Sequence, residues 1–157
     1  MWHTDFGDFV PGQGNFAHIT FDLGATYDID AINVWNYGET HHGGTGFTRR
    51  GVRVMSVSVA SSGNSSTFTS IGNFTLARAS VKNGFFAAET LAVSAEKVRF
   101  VRFDILRSHW NRDNDVVGLS EVAFSGTTVS TVPEPSSLVM LALGMGAGLF
   151  RVRRKPC

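Results

Sequence analysis

The chain has 157 residues, enough for one domain with a real core and a short appendage. Its formal net charge of +1 divides unevenly: residues 1–132 hold 10 Lys/Arg against 12 Asp/Glu, and residues 133–157 hold 4 against 1. The globular part is therefore slightly acidic, which excludes a basic nucleic-acid-binding domain. The lone cysteine, Cys157 at the chain end, excludes an internal disulfide and a thiolate metal cluster.

Met1-Trp2-His3-Thr4-Asp5 has neither a basic start nor an apolar run, so it is not a signal peptide. From residue 16 the pattern is that of strands. Phe16 to Leu23 (FAHITFDL) alternates, and a turn is expected at Gly24-Ala25-Thr26. Ile29 to Tyr37 (IDAINVWNY) places Ile32, Val34 and Asn36 on one face and Ala31, Asn33, Trp35 and Tyr37 on the other. Val52 to Ala60 (VRVMSVSVA) sets Val52, Val54, Ser56 and Ser58 against Arg53, Met55, Val57 and Val59. Val98 to Leu106 and Val117 to Phe124 follow, with weaker signals at Phe68 to Leu76 and Phe85 to Val93. No stretch of residues 1–130 keeps a helical period, and about seven short strands with turns between them predict an antiparallel β-sandwich.

Two connections are candidates for binding. Residues 36–50 (NYGETHHGGTGFTRR) form a link longer than a hairpin needs. A sugar site wants a flat aromatic face for ring C–H groups and polar forks for hydroxyls. Tyr37 or Phe47 offers the first, and Asn36, Glu39 and Arg49 or Arg50 the second. The competing reading is a solvated loop in which Arg50 pairs with an acid and Trp35 belongs to the core. Residues 107–115 (RSHWNRDND) give the second candidate, where Trp110 beside Asn111 and Arg112 is either a sugar platform or a ring folded onto the sandwich end. Adjacent His41 and His42 lack a third ligand at metal spacing, so zinc is not expected. No catalytic motif occurs, and Asp113 and Asp115 read as solvated acids, so no enzyme is expected.

The tail has its own logic. Residues 127–131 form a polar linker, and Val132-Pro133-Glu134-Pro135 must be extended, because two prolines so close cannot lie inside a helix. Leu138 to Phe150 carries no charge, and Arg151, Arg153, Arg154 and Lys155 follow at once. A helix over about 137–150, with its flanks, reaches roughly 22–25 Å against a hydrocarbon core of ~30 Å. It is short for a lasting span, and its arginines can snorkel. By the positive-inside rule the basic end stays cytoplasmic and the domain lies outside.

Val132 to Lys155 resembles the PEP-CTERM sorting signal of exported proteins from Gram-negative bacteria that make exopolysaccharide. The resemblance implies recognition by exosortase, a transpeptidase of the inner membrane. It further implies export across that membrane, transient anchoring through the C-terminal helix, and delivery to the cell surface or matrix. An exported chain needs a leader, so Met1 is expected to lie downstream of the natural start.

Within residues 1–126, the phrases Ile19-Thr20-Phe21-Asp22-Leu23-Gly24, Ile32-Asn33-Val34-Trp35-Asn36-Tyr37, Val98-Arg99-Phe100-Val101-Arg102-Phe103 and Gly118-Leu119-Ser120-Glu121-Val122-Ala123-Phe124 are similar, in this order, to the discoidin, or coagulation-factor type C, domain of the galactose-binding-like superfamily. That implies a jelly-roll sandwich which binds sugars, lipid head groups or proteins through loops at one end. The family segment that precedes Trp2 is absent, so the first strand is expected to be missing. The resemblance also implies one structural calcium near Glu121, whose remaining ligands come from that same missing segment. The expectation is an exported, non-catalytic protein that binds carbohydrate, such as exopolysaccharide. The alternatives are an adhesive matrix protein without a sugar site, or a fragment of a larger secreted enzyme.

Overall fold

The computed structural model describes residues 1–4, 17–38, 46–61, 68–80, 87–110 and 116–129. Six strands run in chain order: β1 (Trp2–His3), β2 (Ala17–Asn36), β3 (Val52–Ala60), β4 (Thr69–Thr75), β5 (Glu89–Ser108) and β6 (Gly118–Thr128). A 3-10 turn at Gly46–Arg50 leads into β3. Every pairing is antiparallel, and the hydrogen-bonded order is β1-β6-β2-β5-β3-β4.

This single ladder folds over into two layers, and the pairing register demonstrates it. Phe124 of β6 pairs with Ile32, eleven residues beyond Phe21 on β2. A straight strand would separate those positions by roughly 36 Å. Yet the rings of Phe21 and Phe124 meet edge-on with centroids 5.3 Å apart, and Phe21 meets Phe103 of β5 at 5.2 Å. The β2–β5 ribbon must therefore double back. One layer is β1, β6, the second half of β2 and the first half of β5. The other is the first half of β2, the second half of β5, β3 and β4.

The bend has a local cause. Gly24 adopts φ 77°, a left-handed conformation that costs glycine little, and its N–H donates to Asp22 Oδ1 at 2.9 Å. On β5 the matching position is Lys97, at φ 54°, whose N–H donates to Asp28 Oδ1 at 2.7 Å. The register slips between Asp22 and Tyr27, and again toward Ala31. These bulges turn the corner while the ladder continues.

Between the layers lie Ile32, Val34, Val52, Met55, Val57, Val101, Phe103 and Ile105, all at most 1% exposed. Each contributes about 1.5–3 kcal/mol by leaving water. Of the two expected faces of β2, the one with Ile32, Val34 and Asn36 is buried, as the alternation allows. In β3 simple alternation fails: Val52 shares the core with Met55 and Val57, because the β3–β5 register shifts on both sides of Val54.

The expected transmembrane helix at 137–150, the linker beyond Val129 and the sorting residues Val132, Pro133, Glu134, Pro135, Arg151, Arg153 and Arg154 lie outside the described residues. Among the described residues no helix is long and apolar enough to cross a membrane.

Candidate functional site

The two candidate connections leave the same end of the sandwich, and a buried asparagine sets that end. Asn36 closes β2 and is 7% exposed. Its Nδ2 donates to the carbonyls of Val52 at 2.7 Å and Ala77 at 2.8 Å. Its Oδ1 accepts from the N–H groups of Tyr37 and Val52, both at 2.8 Å. All four valences of the amide are spent on backbone, so Asn36 has nothing left for a sugar hydroxyl. It is a latch that ties the end of β2 to the start of β3 and to the segment after β4. Gly51 beside it has no room for a side chain, since a Cβ there would stand 2.7 Å from Asn36 Oδ1.

Further bonds draw the remaining segments together. His109 N donates to Gly51 O at 2.9 Å, Thr4 N donates to Val117 O at 3.0 Å, and Gly51 bridges Gly118. Val117 N in turn donates to Thr4 Oγ1 at 3.2 Å. Arg78 Nε donates to the hydroxyl of Thr48, which is 2% exposed, at 2.8 Å.

On this base the expected site residues separate. Tyr37 is 2% exposed and packs where Gly118 passes, so its ring offers no open face; it is core, not platform. Arg50 turns over the ring of Phe47 at 4.5 Å and is half-buried. Arg49 is exposed, and its guanidinium stands 5.8 Å from the centroid of the half-buried Trp110 ring. This cation–π contact joins the two candidate connections. Glu39, His41, His42, Asn111 and Arg112 lie outside the described residues.

Sequence reasoning missed the electrostatics of this end. Arg49, Arg50, Arg53, Arg78 and Arg107 all belong to it, and Glu89 Oε2 accepts from Ala77 N at 2.8 Å. His109, between Ser108 and Trp110, is held below its ordinary pKa of 6.5. Burial is the main cause, opposed by hydrogen bonds to the Ala77 and Leu76 backbone and reinforced by the charges of Arg53 and Arg78. Its Nε2 is buried without a hydrogen-bond partner, so protonation there would add an unsolvated charge beside two arginines. The only sequence signal was the spacing of arginines across segments that the fold alone brings together.

Glu121 is exposed on β6, opposite Trp35. Among the described residues no three His, Cys, Asp or Glu side chains gather as metal ligands, so those residues do not by themselves build a calcium cage around it.

Comparison with known proteins adds the following. Residues 131–155 match the PEP-CTERM protein-sorting motif. A search of curated proteins finds no match. Among solved structures, a CBM32 module of a family 31 glycoside hydrolase from Clostridium perfringens superposes with a TM-score of 0.58 at 15% identity, covering 80% of this chain and 74% of that one. An F5/8 type C domain from Bacteroides fragilis gives 0.56 at 15% identity, covering 82% and 74%. The C-terminal domain of a Bacteroides fragilis chitobiase gives 0.51 at 18% identity, covering 72% and 64%. The chain thus joins an all-β sandwich with the fold of CBM32 and F5/8 type C domains to a PEP-CTERM protein-sorting motif.

Proposed function

We propose that this is an exported, non-catalytic carbohydrate-binding protein whose tail is recognised by exosortase and whose sugar site lies at the latched end of the sandwich. The observation that carries the reading is the contact of Arg49 with Trp110. It sets an aromatic surface beside a guanidinium fork, the two parts a sugar site needs. Asn36 and the bonds of His109 and Thr48 hold that pair on a rigid base, which lowers the ordering cost of binding. The fold is that of a module which in Clostridium perfringens belongs to a glycoside hydrolase, and this supports a sugar ligand over a lipid or protein. Exopolysaccharide at the cell surface is the ligand we expect the sorting motif to bring within reach.

The test is a glycan array probed with the chain and with its Trp110→Ala and Arg49→Ala variants. A hit that weakens tenfold or more in both variants supports the reading. Hits indifferent to both, or no hits among surface polysaccharides, contradict it. For the tail, replacing Pro133, Glu134 and Pro135 with alanine is expected to stop exosortase-dependent release in cells that export the protein. Unchanged release overturns that part.

A further inference from the structure

The charges of the sandwich are sorted end from end. Asp22, Asp28, Asp30 and Glu96 lie at or beside the corner, where Asp22 pairs with Arg99 and Asp28 accepts from Lys97 N–H. Asp104 is held by Arg102 at 2.7 Å, and Glu121 faces outward on the other layer. At the latched end the described charges are the arginines 49, 50, 53, 78 and 107, against the carboxylate of Glu89, which takes the Ala77 N–H. Glu39, Asp113 and Asp115 lie outside the described residues.

Two of those arginines are placed by a pair of compensating bulges. Val52 pairs with Ser108 and Met55 with Ile105, and all four are buried. Between them Val54 pairs with Arg107, and the register shifts on each side of that pair. Each strand therefore turns two successive residues outward, Arg53 and Val54 on β3, Leu106 and Arg107 on β5. Arg53 and Arg107 are both exposed, on neighbouring strands about 5 Å apart. Leu76 N donates to Arg53 O at 2.9 Å, which brings the segment of Arg78 alongside. The charges of Arg53 and Arg78 both reach His109, and His109 adjoins Trp110, over which Arg49 stands. Like charges so close repel one another. Among the described residues, Arg49, Arg53 and Arg107 enter no ion pair that relieves the repulsion.

We propose that the polysaccharide taken at this end is anionic, with a carboxylate or sulfate seated between Arg53 and Arg107 while a neighbouring ring lies against Trp110. The inference rests on the sugar reading above and adds to it the charge of the ligand. A guanidinium meets such an anion with two parallel N–H donors, so two of them on adjacent strands form a fixed clamp. Arg107 precedes Trp110 by three residues, at most about 11 Å of chain, so a short stretch of polysaccharide reaches both. A neutral sugar leaves the repulsion among the arginines in place, whereas an anion removes it.

The probes are polygalacturonate and alginate, each beside its own methyl ester, which keeps the rings and removes the charge. Dextran sulfate beside dextran separates sulfate from carboxylate. Titration calorimetry with the full chain is the readout. At least one acid form is expected to bind ten times more tightly than its neutral form, and the difference is expected to shrink as salt is raised. Arg53→Gln with Arg107→Gln, both at exposed positions, is expected to remove the difference and to keep the affinity for the neutral form. Neutral forms that bind as tightly as the acids overturn this inference and leave the sugar reading standing. An acid preference that survives the double substitution overturns the placement of the anion. Polyglutamate bound as tightly as the acids, with no loss in Trp110→Ala, overturns both, because the end is then a general cationic surface. Failure of every charged probe to bind also overturns the inference, and the sugar reading is then judged by the array.

Discussion

Replacing Asn36 with alanine tests the idea that one buried amide assembles this end of the sandwich. The substitution removes four hydrogen bonds of 2.7–2.8 Å. Ala77 is exposed, so its carbonyl finds water again. Val52 is fully buried and loses partners for both its N–H and its C=O, and the N–H of buried Tyr37 is left as well. A stranded buried group costs about 1–3 kcal/mol, and some water will enter the space the amide vacates, so the sum is about 3–5 kcal/mol. That is a large share of the 5–15 kcal/mol typical of a domain. At roughly 3–5 °C per kcal/mol for a domain of this size, Tm falls by about 10–20 °C. Asn36→Asp keeps the acceptor but turns a carboxylate oxygen toward two carbonyls, and it is expected to do no better. Thermal unfolding followed by circular dichroism, with urea midpoints as a second measure, decides the matter. A drop in Tm below about 3 °C for Asn36→Ala refutes the latch.

Other consequences are smaller or more local. His109 has a folded pKa below 6.5, so the unfolded chain takes up its proton first as pH falls. Its contribution to stability is complete above about pH 6.5 and fades as pH drops through that value toward the folded pKa; His109→Gln should flatten the difference between urea midpoints at pH 7.5 and 5.5, and an unchanged slope would count against burial of the ring. A Cβ at Gly126 would collide with the backbone carbonyl of Asp28 across the β2–β6 pair, whereas one at Gly24 meets open space and suffers only the strain of φ 77°. Gly24→Ala should therefore cost about 1–2 kcal/mol and Gly126→Ala more, as measured by urea unfolding. Asp22 is held below its usual pKa by hydrogen bonds from Arg99 and from Gly24 N–H. Arg99→Ala should return the Asp22 carboxyl toward 3.8 in an NMR titration, with little change in Tm because the pair is exposed.

Much of the fold was legible because β-branched and aromatic residues alternate cleanly. Val52–Ala60 matches the expected strand at both ends, and Phe68 to Leu76 differs by a residue at each end. The corner was not legible. Gly24-Ala25-Thr26 reads as a turn between two strands, but the Gly24 conformation and the Asp22 cap let one strand, Ala17–Asn36, pass through it. Likewise residues 89–93 of the weak signal at Phe85 to Val93 and the strong signal at Val98 to Leu106 fall in one strand, Glu89–Ser108, bent at Lys97. The short β1 and the 3-10 turn carry no periodicity that could reveal them.

The candidate site was legible by segment and not by side chain. Polar and aromatic types in residues 36–50 and 107–115 marked two segments whose described parts meet at one end of the sandwich. Sequence alone cannot tell an exposed Asn or Tyr from one that a neighbouring segment has captured. Asn36 ends β2 and Tyr37 follows it, both buried at the end of the sandwich core, and there the backbone claims the amide. Arg49 and Arg50 are adjacent, yet a 3-10 turn sends one over Phe47 and the other over Trp110. The Arg49 contact depends on a segment some sixty residues away, which no local pattern encodes.

The central claim is that Trp110, with Arg49 over it, is where sugar binds. The chain has three tryptophans, Trp2, Trp35 and Trp110, so three indole N–H resonances report separately on β1, on β2 and on the latched end. Adding the best ligand from the array should shift the Trp110 resonance and leave those of Trp2 and Trp35 in place. A ligand that binds while Trp110 stays still, or that moves Trp2 instead, contradicts the account.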